Sequence, residues 1–212
     1  MHIRALLFDL DGTLIDSYKD IGIHLNKTLE LFGLEPVEIE EVKAMIGGGA
    51  RELLKRFFSD GLLEEALRVF RDFYLKEPVI HTRPYEGIGE LLEYAKGKGI
   101  PMAVVSNKME ELSVKILKEL GLYEYFEVVA GGDTYAEKKP SPLPVIETIK
   151  RLRVDPAHTL MVGDTSSDIR AGRLAGTLTG LANWGYVRIE EEKPDYTFEN
   201  PQDVVLLLDA HS

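Results

Sequence analysis

The stretch Ala5-Leu6-Leu7-Phe8-Asp9-Leu10-Asp11-Gly12-Thr13 decides the reading of the chain. Four apolar residues without polar alternation read as a short strand buried on both faces, as in a parallel sheet. Two carboxylates follow at once, separated by Leu10, so on an extended backbone they point to the same side. Like charges about 4 Å apart repel by roughly 4 kcal/mol at an effective dielectric near 20, so the pair calls for a cation or a shared proton. A single polar residue after a strand is ordinarily a helix cap or a solvated turn. Asp9, directly behind a buried run and next to a second carboxylate, does not fit that explanation.

Working outward, the same pattern recurs. Met102-Ala103-Val104-Val105 runs into Ser106-Asn107, Val128-Val129-Ala130 into Gly131-Gly132-Asp133, and Leu160-Met161-Val162 into Gly163-Asp164. Helical stripes lie between them: Ile88, Leu91, Leu92 and Ala95 before Gly99; Leu112, Ile116, Leu117 and Leu120 before Gly121; Val145, Ile146, Ile149 and Leu152. A further helix is expected over residues 168–175, a last strand near 196–198 and a final helix at about 202–208. Apolar strands alternating with helices predict an α/β class with a Rossmann-like parallel sheet. Ligands of such sheets bind outside the carboxyl ends of the strands, where strand order reverses. Asp9, Asp11, Ser106, Asn107, Asp133, Lys138, Lys139 and Asp164 are therefore candidates to meet along one edge.

Residues 16–81 break the pattern. Apolar positions there keep a helical period, with stripes through Leu25, Leu29 and Phe32, through Val42, Met45 and Ile46, through Leu53, Leu54, Phe57 and Phe58, and through Leu63, Leu67, Phe70 and Tyr74. No strand is expected between Asp16 and His81. The division predicted is an α/β core of residues 1–15 and 82–212 interrupted by an α-helical cap of residues 16–81.

Composition narrows the function classes. The 212 residues carry 25 Lys plus Arg against 36 Asp plus Glu, a net charge of −11, and no cysteine. Without Cys there is no disulfide frame, zinc finger, iron–sulfur cluster or cysteine nucleophile. The acid excess argues against nucleic acid and anionic membranes as partners, and no apolar stretch reaches a membrane span or signal-peptide pattern. The expected setting is cytoplasmic, as a monomer or homodimer. His2, His24, His81, His158 and His211 lack metal-ligand spacing. Gly47-Gly48-Gly49 lacks the strand context of a dinucleotide motif.

Phe8-Asp9-Leu10-Asp11-Gly12-Thr13-Leu14 resembles the first signature of the haloacid dehalogenase-like hydrolases, Asp-x-Asp-x-Thr. Matches to the later signatures follow in order: Ser106 after an apolar strand, Lys139 in Lys138-Lys139-Pro140-Ser141-Pro142, and Gly163-Asp164-Thr165-Ser166-Ser167-Asp168. The resemblance spans essentially the whole chain, the cap included, and within the superfamily it is strongest to the phosphoglycolate phosphatases and their near relatives. It implies that Asp9 is a nucleophile forming an aspartyl phosphate and that Asp11 is the general acid and base. Ser106, Asn107 and Lys139 would hold the phosphoryl group. Mg²⁺ would sit on Asp9, the Asp11 backbone carbonyl and Asp164, with Asp168 orienting a bound water or, alternatively, only starting a helix.

The implied substrate is a small phosphorylated metabolite, 2-phosphoglycolate first. Pyrophosphatase and phosphosugar phosphatase or mutase stay open within the superfamily. From a different class, an Asp-phosphorylated signalling module also gathers acids, a hydroxyl and a Lys at strand ends. In the cap, Gly48 within its glycine run could bring backbone N–H groups to the leaving group and Arg51 could pair with a substrate carboxylate. The competing reading is that the glycines end one helix and start the next, with Arg51 solvated. Trp184, Asn183 and Tyr186 are candidates to line the core side of the cleft.

Overall fold

The computed structural model describes residues 2–186 and 192–210; His211 lies outside them. The chain opens with β1 (Ala5–Phe8) and a two-residue strand β2 (Ile15–Asp16), then forms α1 (Tyr18–Leu31), a 3-10 turn at Ile39–Met45, α2 (Ala50–Leu54) and α3 (Asp60–Lys76). It returns through β3 (Arg83–Pro84) into α4 (Ile88–Gly97), β4 (Met102–Val105), α5 (Glu110–Glu119), β5 (Val128–Ala130) and α6 (Leu143–Leu152). β6 (Thr159–Gly163), α7 (Ser166–Leu174), β7 (Leu178–Ala182), β8 (Tyr196–Phe198) and α8 (Pro201–Ala210) complete it. Among the described residues no helix is long and apolar enough to cross a membrane.

The main sheet has the order β5-β4-β1-β6-β7-β8, with every pairing parallel. From β1 the chain builds outward through β4 and β5, then crosses back to β6 on the other side of β1. That reversal opens a crevice beyond the carboxyl end of β1, between the ends of β4 and β6. Phe8 lies opposite both Val104 and Val162, and the Asp9 N–H donates to the Val162 carbonyl at 2.9 Å. Asp9 therefore leaves the sheet at the floor of the crevice.

Side chains alternate across the sheet with the strand period of two. Leu6, Phe8, Met102, Val104, Leu160 and Val162 belong to one core, while Leu7, Ala103, Val105 and Met161 meet Val145, Ile149 and Ala171 in the other. Burying each such aliphatic chain contributes about 1.5–3 kcal/mol, so the strand ends that carry the polar residues are fixed by apolar packing on two sides. The first core continues into the inserted helices, where it includes Leu25, Leu29, Val42, Leu54, Phe70 and Tyr74. There α1 packs on α3 and on the 39–45 turn, and α2 packs on α3.

Three local features depart from the sequence expectation. β2 and β3 pair antiparallel, with Ile15 opposite Pro84 and Asp16 opposite Arg83, so the two crossings between sheet and helices run side by side. The helix expected around 42–46 is a 3-10 turn, and α2 stops at Leu54, short of Phe58. β7 lacks a continuous apolar run because Thr179 and Gly180 interrupt it; the Phe198 ring covers Gly180, where a Cβ would collide with it.

Candidate active site

Three segments converge beyond β1. Asp9 follows β1, Lys139 lies in the loop after β5, Asp164 follows β6, and Asp168 stands in the first turn of α7. Asp168 is placed by a capping box with Thr165: its Oδ2 accepts from the Thr165 N–H at 3.0 Å and from the Thr165 hydroxyl at 2.6 Å. Its other oxygen lies 2.5 Å from the Lys139 ammonium. Lys139 also donates to Asp9 Oδ1 at 2.8 Å and to the Val105 carbonyl at 2.5 Å, so its three donors are all used.

Asp9, Asp164 and Asp168 are buried, and one carboxylate oxygen of each lies within 4.8 Å of the others. Burial raises the pKa of Asp9 even against the pull of Lys139, with Asp168 adding to the rise. Burial, Asp168 and Asp9 raise Asp164 well above the usual carboxylate range. For Lys139, burial disfavours the ammonium, and the opposing charges of Asp168 and Asp9 outweigh it. With all three ionised, the carboxylates exceed the single ammonium by two negative charges, an excess that burial resists. An all-oxygen donor set with that charge fits a hard divalent cation such as Mg²⁺. Asp168 already spends its oxygens on Lys139 and Thr165, which suits the outer position better than direct ligation.

Asp164 is held from the other side. The Thr13 hydroxyl donates to its Oδ1 at 3.3 Å and the Tyr186 N–H to its Oδ2 at 2.9 Å. Gly12 has φ +85°, and a Cβ there would run into the Asp164 carboxylate, so only glycine lets the first loop pass this close. The Tyr186 hydroxyl accepts from the Ser17 N–H at 2.5 Å and donates to Asp16 at 2.8 Å, joining the Asp164 loop to the start of α1. Trp184 Nε1–H donates to the Thr13 carbonyl at 2.9 Å, whereas Asn183 turns away to Glu199.

Ser106 follows β4, with its N–H on the Ala130 carbonyl at 2.9 Å. The Asn107 amide bridges the Gly47 carbonyl at 2.9 Å and the Lys139 carbonyl at 3.0 Å. Lys138 donates to the Gly48 carbonyl at 2.7 Å. Gly49, at φ +80°, could not carry a Cβ, which would lie 2.6 Å from the Asn107 carbonyl oxygen. The glycine run thus lies against the loops beside Asp9, Gly48 included. Arg51 is not brought there: it pairs with Glu64, and the two side chains are 45% and 72% exposed. Asp133 caps α5 through the Glu110 N–H at 2.8 Å and takes no part in the cluster.

Asp11 is separate from the three-carboxylate group. Both its oxygens face the Lys108 ammonium, at 3.0 and 2.9 Å, and Ser17 Oγ donates to it at 2.6 Å. Lys108 escaped the sequence reading, although it follows Ser106-Asn107 directly and that adjacency was the available signal.

A family profile described as haloacid dehalogenase-like hydrolase matches residues 6–182. The chain belongs to the haloacid dehalogenase-like hydrolases. A protein of Aquifex aeolicus named phosphoglycolate phosphatase is 52% identical over 209 residues, covering 99% of this chain and 98% of its own. One of Pseudomonas aeruginosa named N-acetylmuramic acid 6-phosphate phosphatase is 32% identical over 217 residues, covering 99% and 96%. A crystal structure of a predicted phosphoglycolate phosphatase from Haemophilus somnus superposes with a TM-score of 0.90 at 28% identity, over 98% of each chain. The haloacid dehalogenase-like match takes in every signature residue from Asp9 to Asp164 and ends with β7.

Proposed function

We propose that this hydrolase cleaves a small phosphate monoester with Mg²⁺ bound, 2-phosphoglycolate being the leading substrate. The observation that carries the reading is the buried Asp9 held by Lys139 beside two further carboxylates, with a fourth, Asp11, two residues on. In the first step an Asp9 oxygen attacks phosphorus in line, the ester P–O bond breaks, and the alkoxide takes a proton from Asp11. In the second, water attacks phosphorus, Asp11 takes its proton, and phosphate leaves with Asp9 restored. The Ser106 hydroxyl and the Asn107 backbone N–H orient the phosphoryl oxygens, while Lys139, held against Asp9, supplies positive charge where negative charge spreads in the transition state. Mg²⁺, held by Asp9, Asp164 and the Asp11 carbonyl, would neutralise the two excess charges and the phosphoryl group.

The helices of residues 16–81 act as the cap in this reading, excluding water from the acyl phosphate until the leaving group departs. The choice of 2-phosphoglycolate is supported by the 52% identical relative's name. A second reading, a phosphosugar as substrate, has the N-acetylmuramic acid 6-phosphate phosphatase at 32% identity in its favour. Phosphate release from a panel of both kinds of ester, with Mg²⁺ and with EDTA, tests the reading. Hydrolysis that stops with EDTA and ranks 2-phosphoglycolate first supports it; equal rates with and without EDTA overturn it.

A further inference from the structure

Lys108 occupies a place that the phosphatase reading leaves without a task. Its backbone N–H donates to Ser106 Oγ at 3.3 Å, which fixes it beside the phosphoryl subsite. Its ammonium faces Asp11, stands 3.4 Å from the Tyr74 hydroxyl, and lies 4.6 Å from the centre of the Tyr74 ring. Tyr74 is fully buried in α3 and its ring stacks on His24 of α1 at 4.5 Å. A core lysine, a core carboxylate and a cap aromatic therefore meet at one buried point, with only 7% of the Lys108 side chain and 11% of Asp11 exposed.

Asp9 faces phosphorus and Asp11 faces the departing oxygen, so an ammonium about 3 Å beyond Asp11 faces atoms carried by the leaving group. The other cations near the cluster are committed elsewhere. Lys139 is used by Asp9, Asp168 and the Val105 carbonyl, Lys138 holds the Gly48 carbonyl, and Arg51 is on the exposed side with Glu64. With Asp11 turned to the ester oxygen, Lys108 would remain buried with only the Tyr74 hydroxyl and ring, which is costly for an ammonium. An anion on the leaving group removes that cost.

We propose that Lys108 is the specificity residue: its ammonium exchanges Asp11 for a carboxylate one carbon from the ester oxygen, selecting phosphate esters of small 2-hydroxy acids. The exchange leaves the Asp11 oxygens facing the ester oxygen, while Tyr74 keeps the ammonium in place through its hydroxyl and ring face. This inference rests on the phosphatase reading above and deepens it by naming the group that recognises the leaving acid. Lys108, and not the Glu64-paired Arg51, then makes the carboxylate contact.

The test compares kcat/KM for 2-phosphoglycolate, ethyl phosphate and glycolamide phosphate, which share a two-carbon leaving group, in the wild type, Lys108→Met and Lys108→Arg with Mg²⁺ present. The wild type should prefer 2-phosphoglycolate over the two uncharged esters by about 10- to 100-fold, the scale of a buried charge-assisted contact. Lys108→Met should bring that ratio close to one, with the change mainly in KM, and Lys108→Arg should keep most of it. A ratio unchanged in Lys108→Met overturns the inference and leaves the phosphatase reading standing. Equal use of glycolamide phosphate and 2-phosphoglycolate by the wild type overturns it too, whether or not the variants fold. A wild type that hydrolyses none of the three esters overturns the phosphatase reading itself.

Discussion

The ammonium of Lys139 lies 2.5 Å from the carboxylate of Asp168, joining the loop after β5 to the first turn of α7. Both side chains are 2% exposed, and Asp168 caps α7 while it holds the lysine. Removing one partner of a buried pair leaves the other uncompensated, at about 3–5 kcal/mol, and the cap adds about 1 kcal/mol. Asp168→Ala should therefore cost both stability and activity. Asp168→Asn, which still caps the helix, should lose less stability yet drop kcat/KM by about 10- to 100-fold with weaker Mg²⁺ activation. Thermal unfolding together with Mg²⁺ titration of the rate checks the separation; wild-type Mg²⁺ dependence in Asp168→Asn would contradict it.

Gly12 should tolerate no side chain. At φ +85° an alanine is strained by about 1–2 kcal/mol, and its methyl displaces the Asp164 carboxylate. Gly12→Ala is expected to fold with a lowered midpoint and to need about tenfold or more Mg²⁺ for half-maximal rate. An unchanged Mg²⁺ requirement would show that Asp164 does not depend on that approach.

Asp20 binds the two crossings together. Its carboxylate accepts from the N–H groups of Ile80, His81 and Thr82 and from the Thr82 hydroxyl, at 2.6 to 3.1 Å. Burial disfavours the carboxylate, but the Thr82 hydroxyl and the three N–H groups outweigh it and lower its pKa below 3.8. A depressed acid stabilises the fold fully above its unfolded pKa and loses that contribution as pH falls through the folded value. Asp20→Asn should cost about 2–3 kcal/mol at pH 7. Urea midpoints of wild type and variant should converge below about pH 4; a gap that stays constant to pH 3 would argue against the ionised carboxylate as the cause.

His24 works in the opposite charge state. Burial lowers its pKa below 6.5, aided by Lys27 and opposed by its hydrogen bond to the Glu77 carbonyl at 2.9 Å and by the charges of Asp20 and Glu77. The folded protein keeps it neutral while the unfolded chain protonates near pH 6.5, so stability falls as pH drops below that value. His24→Phe keeps the stacking on Tyr74, loses the Glu77 bond for about 1 kcal/mol at pH 8, and should narrow that deficit by pH 5.5. A deficit that is the same at both pH values would rule out His24 as the titrating group.

Much of this arrangement is legible in the chain because its causes are local. Ala5-Leu6-Leu7-Phe8 is apolar through its length because both faces of β1 are covered, and the polar residues after β4 and β6 mark where those strands leave the sheet. What escapes has non-local causes. β7 is a strand although Gly180 interrupts it, since Phe198, eighteen positions on, fills the space. β2 and β3 stabilise each other across the whole helical insertion, beyond the reach of any sequence window. Lys108 reads as an ordinary loop lysine until α3 lays Tyr74 over it and the first loop turns Asp11 toward it. Arg51 shows the converse: a cation in an inviting glycine-rich context has Glu64 as its partner instead.

In the proposed mechanism Asp9 carries the phosphoryl group. Wild-type protein mixed with 2-phosphoglycolate and Mg²⁺, quenched within the first turnovers and reduced with borohydride, should yield homoserine at position 9, the reduction product of an aspartyl phosphate. Asp9→Asn should yield none and lose about a thousandfold or more in kcat. Rapid turnover with no modification at Asp9, or undiminished turnover in Asp9→Asn, would rule out phosphoryl transfer to Asp9.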